Sequence, residues 1–338
     1  MGFHCIQKWA DKGLKLTLLD IAGFNADEYP EDAKLVKGDV RDVELMNKLF
    51  AEDNYDVVIH AAAALPLWTP KEIFSTNVDG TRTTLEVAKK HGVKRVVFIS
   101  STAVYGVPEK HPIYEVDPMV GVGPYGESKI RAEKICQELR SDEFCIPVIR
   151  PKTFIGPERL GVFQILYDWI ESGVRIPMIG WGHNPYQLMD VADLVDAIWL
   201  VASHEDSTKV NEEFNVGAME FATVRQDVTA VCEYAGSGSK PLGTFAMPIK
   251  GALMLFEALN LSPLYKWIYG TADKESFVST DKIQALGWKA QYSNADALIR
   301  SYQWYLDNKH KIQKGTGVTH RIAWDQSILG VFKRFLKW

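Results

Sequence analysis

The segment RVVFISS, residues 95–101, is the part of the sequence that decides the fold. It is a nearly continuous apolar run ending in two hydroxyl side chains, and such runs are typical of parallel strands buried on both faces. Four similar runs occupy residues 15–21, 33–40, 56–62 and 145–151. Helical segments such as 43–53 and 71–91 lie between them, and this alternation predicts an α/β fold with a doubly wound parallel sheet.

The regular alternation weakens after the fifth strand, where Gly, Pro, Trp and Tyr become frequent. We therefore predict a doubly wound domain over residues 1–153 and a smaller mixed lobe, mainly for substrate, over residues 154–310. Segments near residues 184–217 are expected to return to the first domain, because 213–217 (EFNVG) has the pattern of one more strand. Residues 311–338 are predicted to form a C-terminal tail.

Composition excludes several classes of protein. The chain has 338 residues, 46% of them apolar and 24% charged, with a formal net charge of −5, which argues against a nucleic-acid binder. Its four cysteines are scattered and its histidines show no ligand spacing, so we predict no metal site and buried thiols in a reducing cytoplasm. No apolar run approaches the roughly 18 residues needed to span a membrane, and no secretory signal pattern is visible.

A tyrosine and a lysine at catalytic spacing follow the deciding strand. Tyr125 and Lys129 lie four residues apart on a predicted helix and therefore share one face. A neighbouring ammonium lowers the pKa of a phenol, so this pair can supply a general base. Ser101 ends the strand at the edge where such sheets bind ligands, and it can orient a substrate oxygen toward Tyr125.

Taken in order, the motifs of the chain resemble those of the extended short-chain dehydrogenases/reductases, in the NAD-dependent epimerase/dehydratase group. The resemblance spans residues 2 to about 190 and is weaker to about 308. Its landmarks are Gly2-Phe3, Asp20, Gly38-Asp39, His60-Ala61-Ala62, Asn77-Val78, the segment from Ser101 to Gly106, that from Tyr125 to Lys129, Arg150-Pro151, Gly156-Pro157 and Met189-Asp190-Val191. The resemblance implies a Rossmann domain, NAD as cofactor, and Ser101, Tyr125 and Lys129 as the catalytic residues.

The expected cofactor site follows the strand ends. A carboxylate at Asp20 can accept hydrogen bonds from the adenosine ribose and favours NAD over NADP, and Asp39 could face the adenine. For Asn77 and the alanines after the third strand, a structural role is nearly as plausible. The resemblance implies cofactor contacts from Gly2, Phe3, Asp20, Asp39, Val40, Ala61, Ala62, Ala63, Asn77, Ser100, Tyr125, Lys129 and Pro151.

The glycine-rich phosphate loop is incomplete in this sequence. Gly2-Phe3 matches the middle glycine of the family's loop, Cys5 stands where its third glycine is expected, and no first strand precedes them. Either the chain starts upstream of Met1, or tight cofactor binding has been lost. We favour the first explanation, because the catalytic pattern is intact and a central parallel strand is hard to delete.

Several departures from the family pattern bear on the substrate. Thr102-Ala103 replaces the acidic pair of sugar dehydratases, which disfavours dehydration, and Lys152-Thr153 stands where epimerases place an asparagine. The usual arginine before the late strand is missing, so Lys152, Arg159 or Arg175 would have to bind a diphosphate. We expect substrate contacts from Ser101, Thr102, Thr153 and Gln187.

Two apolar segments raise the question of a hydrophobic partner. Residues 252–259 are similar to a stretch in 3β-hydroxysteroid dehydrogenase-like relatives, although an ordinary core helix is the simpler interpretation. Residues 328–338 predict a basic amphipathic helix that could lie on an anionic membrane or dock on protein. The family resemblance also implies a homodimer.

Three hypotheses on function therefore stand. The leading one is an NAD-dependent sugar or nucleotide-sugar epimerase-like oxidoreductase with Tyr125 as base. The second is a 3β-hydroxysteroid dehydrogenase-like enzyme acting on a hydrophobic alcohol or ketone, and the third is a non-catalytic member with impaired cofactor binding. The absence of a GxSxG nucleophile motif argues against a hydrolase.

Overall fold

Helices and strands alternate through the first half of the computed structural model, as the sequence predicts. The structure describes residues 1–259, 266–311, 314–315, 323–324, 329–330, 333 and 336. The elements of the first half are α1 (Gly2–Trp9), β1 (Thr17–Asp20), β2 (Lys34–Lys37), α2 (Val43–Glu52), β3 (Val57–His60), α3 (Pro70–Phe74), α4 (Gly80–Lys90), β4 (Arg95–Ile99), α5 (Gly123–Leu139) and β5 (Val148–Pro151).

The second half has shorter strands and more irregular connections. Its elements are β6 (Phe154–Ile155), α6 (Phe163–Glu171), β7 (Ile176–Met178), β8 (Met189–Asp190), α7 (Val191–Ser203), α8 (Ser207–Val210), β9 (Glu213–Val216), α9 (Val224–Ala235), β10 (Pro241–Gly243), α10 (Ala246–Ala258), α11 (Lys266–Thr271), α12 (Asp281–Gln284), α13 (Asn294–Asn308), β11 (Lys314–Gly315) and β12 (Ala323–Trp324). None of the helices in the described part of the chain combines the length and apolar character that crossing a membrane requires.

The central sheet has four parallel strands in the order β3-β4-β5-β9. Alternate side chains of β4 point to opposite faces, so Val96 and Phe98 pack against helices α2, α4 and α5, while Val97 and Ile99 pack against α1 and α7. Both faces are therefore buried, which explains the unbroken apolar sequence of this strand and confirms the predicted doubly wound α/β fold.

Strands β1 and β2 form a separate parallel pair. Leu19 and Val36 of this pair pack against the same hydrophobic layer as α2 and α4. Lys34 also forms an ion pair with Asp53, just beyond the end of α2. Side-chain packing thus attaches the pair to the domain, although no strand ladder joins it to β3 in the described residues.

The long helix predicted over residues 71–91 is interrupted. Helix α3 starts with a capping box between Thr69 and Glu72, and α4 continues to Lys90, but residues Ser75–Asp79 between them form a π-helical turn. Such turns are rare and concentrate at functional sites. Here the turn contains Asn77, whose buried side chain connects three parts of the fold.

The apolar segment at residues 252–259 does not form a core helix. It belongs mostly to α10, and within it Leu253 is buried while Met254 and Leu255 are 55% and 58% exposed. The simpler interpretation of this segment was therefore wrong, because most of its apolar side chains face solvent. The amphipathic helix predicted at 328–338 falls mostly outside the described residues.

A buried ion pair joins helix α5 to strand β5. The guanidinium of Arg150 donates to both carboxylate oxygens of Glu133 at 2.6–3.1 Å, and the two side chains are 2% and 0% exposed. Arg150 also donates to the hydroxyl of Tyr105 at 2.7 Å, which in turn donates to Asn215 of β9 at 2.8 Å. Ser100, at the end of β4, donates to Glu133. One network therefore connects three strands of the sheet to the helix.

We expect Arg150→Ala to destabilise the protein by about 3–5 kcal/mol, because it leaves the Glu133 carboxylate buried without its partner. The free energy of unfolding in urea measures the change. Arg82→Ala is the matched control, since Arg82 pairs with Glu138 at the surface and its loss should cost no more than about 1 kcal/mol. Equal destabilisation by the two variants would contradict the structural role assigned to the buried pair.

Candidate active site

The three predicted catalytic residues come from the end of β4 and the start of α5. Ser101 directly follows the buried end of β4 and caps the 3₁₀ turn Thr102–Tyr105, its hydroxyl accepting from the amide of Ala103 at 3.1 Å. Helix α5 packs closely on this turn because Gly126 has no side chain. A Cβ at Gly126 would lie 2.9 Å from the carbonyl oxygen of Ala103. This close approach brings Tyr125 next to Ser101.

The phenol of Tyr125 is half-buried at this junction. Burial raises its pKa, while a hydrogen bond with Ser101 and the positive charge of Arg159 act in the opposite direction. The hydroxyl is therefore protonated near neutral pH in the protein alone. To act as a base it needs further stabilisation of the phenolate, and a cation brought close to it would provide that.

Lys129 lies one helical turn beyond Tyr125 and is 2% exposed. Its Nζ donates to the carbonyl oxygen of Ile99 at 2.9 Å and lies 4.9 Å from the ring centre of Phe98. Burial lowers its pKa to about 8, an effect that the charge of Glu133 partly opposes. An ammonium carries three N–H donors, so two remain for ligands at the edge of the sheet.

Asn77 braces the catalytic helix rather than facing an open groove. Its side-chain oxygen accepts from the amide of Ala64 at 2.8 Å, and its nitrogen donates to the carbonyl of Ala64 and to the hydroxyl of Ser128. The residue is 1% exposed. The predicted contact of Asn77 with the cofactor therefore stays a prediction, whereas its link between the loop after β3 and helix α5 is direct.

The adenosine end of the expected cofactor site combines exposed and paired carboxylates. Asp20 ends β1, is exposed, and accepts from the amide of Ala22 at 2.9 Å, which leaves it accessible to a ribose hydroxyl. Asp39 forms an ion pair with Arg41, whose guanidinium holds the pKa of this carboxyl below its usual range. An approaching adenine would therefore meet the ion pair and not an isolated carboxylate.

The other predicted cofactor residues differ in accessibility. Ala61, Ala62 and Ala63 follow β3 at the carboxyl edge of the sheet and are half-buried, and their contact with the cofactor stays a prediction. Val40 is buried and packs over Gly80, where a Cβ would lie 2.8 Å from a Val40 methyl.

Four further cofactor positions lie at the edges of the predicted groove. Gly2 begins α1 with open space around it, and Phe3 makes an edge contact with the ring of Tyr29. Ser100 is turned toward Glu133, and the carbonyl of Pro151 accepts from Thr102 at 3.3 Å. Open space at Gly2 leaves room for a phosphate close to the backbone.

The predicted substrate residues also differ in accessibility. Thr102 is half-buried beside Ser101, and Thr153 is exposed and hydrogen-bonds the phenol of Tyr186. Gln187 is 2% exposed, and its amide donates to the carbonyl of Ala218 and accepts from the amide of Val278. This bonding favours a bracing role for Gln187 over direct contact with substrate.

Sequence reasoning missed part of what shapes the site, since it named His60 only as a landmark and Arg159 only as a candidate for binding a diphosphate. His60 lies in the core beside Thr81 with a ring-to-hydroxyl distance of 3.0 Å, and burial lowers its pKa to about 3, so its ring is neutral. Arg159 stacks 3.5 Å over Phe154, and burial lowers its pKa to about 9, opposed by Tyr125. The pair Glu133–Arg150 was also missed, although the motif Arg150-Pro151 marked one half of it.

Comparison with known proteins places this geometry in a family. The model of the NAD-dependent epimerase/dehydratase family matches residues 1–217. A UDP-glucose 4-epimerase of Streptococcus mutans is 37% identical over 337 residues, covering 90% of this chain and 93% of the relative. An uncharacterised protein of Sinorhizobium fredii is 33% identical, covering 90% and 76% of the two chains. The chain belongs to the NAD-dependent epimerase/dehydratase family and is an enzyme of that type.

Solved structures share the fold at lower identity. The Bordetella bronchiseptica enzyme WbmG, solved in complex with NAD and UDP, aligns with a TM-score of 0.73 at 22% identity, covering 95% of this chain and 93% of that one. The UDP-glucose 4-epimerase of Thermotoga maritima, solved with UDP-glucose, gives a TM-score of 0.75 at 21% identity, covering 91% and 96%.

The residues of this chain fit the NAD that its family uses. At the nicotinamide end, Lys129 offers donors beside the Ser101–Tyr125 pair, and at the adenosine end Asp20 offers an exposed carboxylate. Ala61, Ala62 and Ala63, at the end of β3, have small side chains that leave room for a cofactor at this edge of the sheet.

We expect Lys129→Met to alter the pH dependence of stability. The unfolded chain titrates near the ordinary lysine pKa of 10.5 and the folded one near 8, so the unfolded state binds more protons between these values and stability rises with pH across that window. The variant should be more stable than wild type by up to about 3 kcal/mol at pH 7, and the advantage should shrink toward pH 10.

Urea unfolding at a series of pH values measures this effect. Lys134→Met is the control, since Lys134 is an exposed lysine on the same helix and its loss should leave the pH profile unchanged. A Lys129→Met profile parallel to that of wild type would contradict the lowered pKa.

Proposed function

We propose that this protein epimerises a nucleotide sugar at a carbinol carbon, with Tyr125 as the general base. The observation that carries the proposal is the close placement of Tyr125 and Ser101, with the buried amine of Lys129 on the next helical turn. The family membership and the 37% identical UDP-glucose 4-epimerase of Streptococcus mutans support the choice of substrate class.

Each residue of the chain has a defined part in this proposal. Tyr125 takes the proton of the substrate hydroxyl at its phenolic oxygen, and Ser101 donates a hydrogen bond that holds the substrate oxygen in place. Lys129, whose amine donates to the carbonyl of Ile99, would hold the ribose of the cofactor with its remaining donors. NAD, when bound, supplies the hydride acceptor and donor for the carbon centre. Tyr125 then returns the proton to the substrate oxygen, whether the carbon has kept or inverted its configuration.

A second candidate function is oxidation of a hydrophobic alcohol. The observation that favours it is the exposed apolar face of α10, where Met247, Met254 and Leu255 are each more than half exposed. An apolar surface of this kind suits a lipid-like substrate or partner. Both candidates use the same Ser101, Tyr125 and Lys129 chemistry, so only the substrate separates them.

The products of the reaction separate the two functions. Incubation with UDP-glucose and NAD should yield UDP-galactose with no lasting absorbance at 340 nm, because an epimerase returns the hydride to its substrate. A sterol-like alcohol that instead produced stoichiometric NADH, with no conversion of UDP-sugars, would favour the second candidate and contradict the first.

We expect Tyr125→Phe to lower kcat by about 100- to 10,000-fold with little change in stability, because it removes the proton acceptor but keeps the ring. Steady-state kinetics on the epimerised sugar and urea unfolding of the same sample measure the two quantities. Tyr114→Phe is the control, since Tyr114 is a 40% exposed tyrosine outside the site and its loss should leave kcat unchanged. A Tyr125→Phe enzyme with wild-type kcat would rule out the assigned role.

A further inference from the structure

A buried lysine follows strand β5 at the carboxyl edge of the sheet. The amide of Lys152 donates to the carbonyl of Val216 in β9 at 2.8 Å, which fixes the backbone, and the whole residue is 4% exposed. The preceding Pro151 accepts a hydrogen bond from Thr102, the residue next to catalytic Ser101. Lys152 therefore lies one residue from the contact that holds the catalytic turn against β5.

The ammonium of Lys152 has no carboxylate partner among the described residues. Its Nζ donates to the hydroxyl of Ser276 at 2.6 Å and lies 5.1 Å from the ring centre of Tyr186. No Asp or Glu of the described chain forms a salt bridge with it, in contrast to Arg150 two residues earlier, which is paired with Glu133. Buried charges are normally paired, so a lone buried cation at the edge of an active site calls for an anionic ligand.

The surroundings of Lys152 are polar, and the carboxylate of Glu275, next to Ser276, acts on His111 but forms no ion pair with Lys152 in the described residues. Burial lowers the pKa of His111 and the charge of Lys152 lowers it further, while the carboxylate of Glu275 acts in the opposite direction. Thr153 is exposed on the open side and interacts with Tyr186. The cluster of Lys152, His111 and Ser276 thus provides hydrogen-bond donors beside a threonine that opens to solvent.

We propose that Lys152 is a specificity-determining residue that binds an anionic oxygen of the substrate. The oxygen belongs either to a carboxylate on the sugar or to the diphosphate of the nucleotide, and both present the same chemistry to the ammonium. This inference rests on the proposed nucleotide-sugar function. It adds that the substrate must carry a negative charge where it meets the ammonium of Lys152.

Binding of the anion is coupled to a proton. Burial lowers the pKa of Lys152 to about 7, so at pH 8 the amine is largely neutral, and an anion beside it restores the charge by taking up a proton. The other titratable side chains of this cluster are His111, Tyr186 and Glu275, the last of which acts on His111. If the imidazole takes up the proton on binding, the His111→Asn variant loses that uptake, whereas uptake by Lys152 is kept. Tyr186→Phe tests the phenol in the same way.

Calorimetric titration with three ligands tests the proposal. UDP, UDP-glucose and UDP-glucuronate are titrated into the NAD-saturated wild type and the Lys152→Met variant at pH 8, in two buffers of different ionisation enthalpy. Lys209→Met is the control, because Lys209 is a surface lysine with a side chain 64% exposed. The expected loss of affinity on Lys152→Met is roughly 10- to 100-fold, the size of a hydrogen bond to a charged group, together with loss of the proton uptake.

The pattern across ligands identifies the source of the anion. Weakening of UDP-glucuronate alone supports recognition of a sugar carboxylate, while equal weakening of all three ligands supports recognition of the diphosphate. Unchanged affinity and proton uptake in Lys152→Met overturn the role of Lys152 but leave the proposed function standing. If the wild type binds none of the three ligands, the nucleotide-sugar function is itself wrong and the inference built on it falls.

Discussion

The ion pair between Glu133 and Arg150 determines how the catalytic helix sits on the sheet. Tyr125, Lys129 and Glu133 follow one another at four-residue intervals, so they share one face of α5. Fixing Glu133 to strand β5 therefore fixes the other two against the end of β4. Arg150 lies in β5, two residues before Lys152. The same ion pair therefore also fixes the position of Pro151 and Lys152 at the end of this strand.

Positive charge is distributed unequally around this edge of the sheet. The guanidinium of Arg150 is satisfied by a carboxylate, whereas Lys129 donates to a carbonyl and Lys152 to a hydroxyl. Desolvation lowers the pKa of both lysines, so both are held in an environment that disfavours their charge. Two buried lysines with lowered pKa values at one edge of the sheet do not serve stability, and groups of this kind are typical of sites of binding or catalysis.

The strands, and the placement of Ser101, Tyr125 and Lys129 at one edge of the sheet, could be predicted from sequence because local patterns determine them. A strand buried on both faces needs an unbroken apolar run, and a Tyr-Lys pair one helical turn apart shares a face wherever the helix lies. The partners of buried polar groups could not be predicted, since Ser100 and Glu133 meet only through tertiary packing. The exposure of α10 was also missed, because an apolar sequence does not show which neighbours cover it.

The π-helical turn at Ser75–Asp79 shows how the fold accommodates one residue more than a regular helix would hold. Deleting a residue there would make α3 and α4 one continuous helix, which is a locally better structure. It would also rotate the following side chains by about 100° about the helix axis, because each residue advances the α-helix by that angle. Asn77 would then swing away from Ala64 and Ser128. The irregular turn therefore acts as a spacer, and a more regular helix would make a less well-ordered active site.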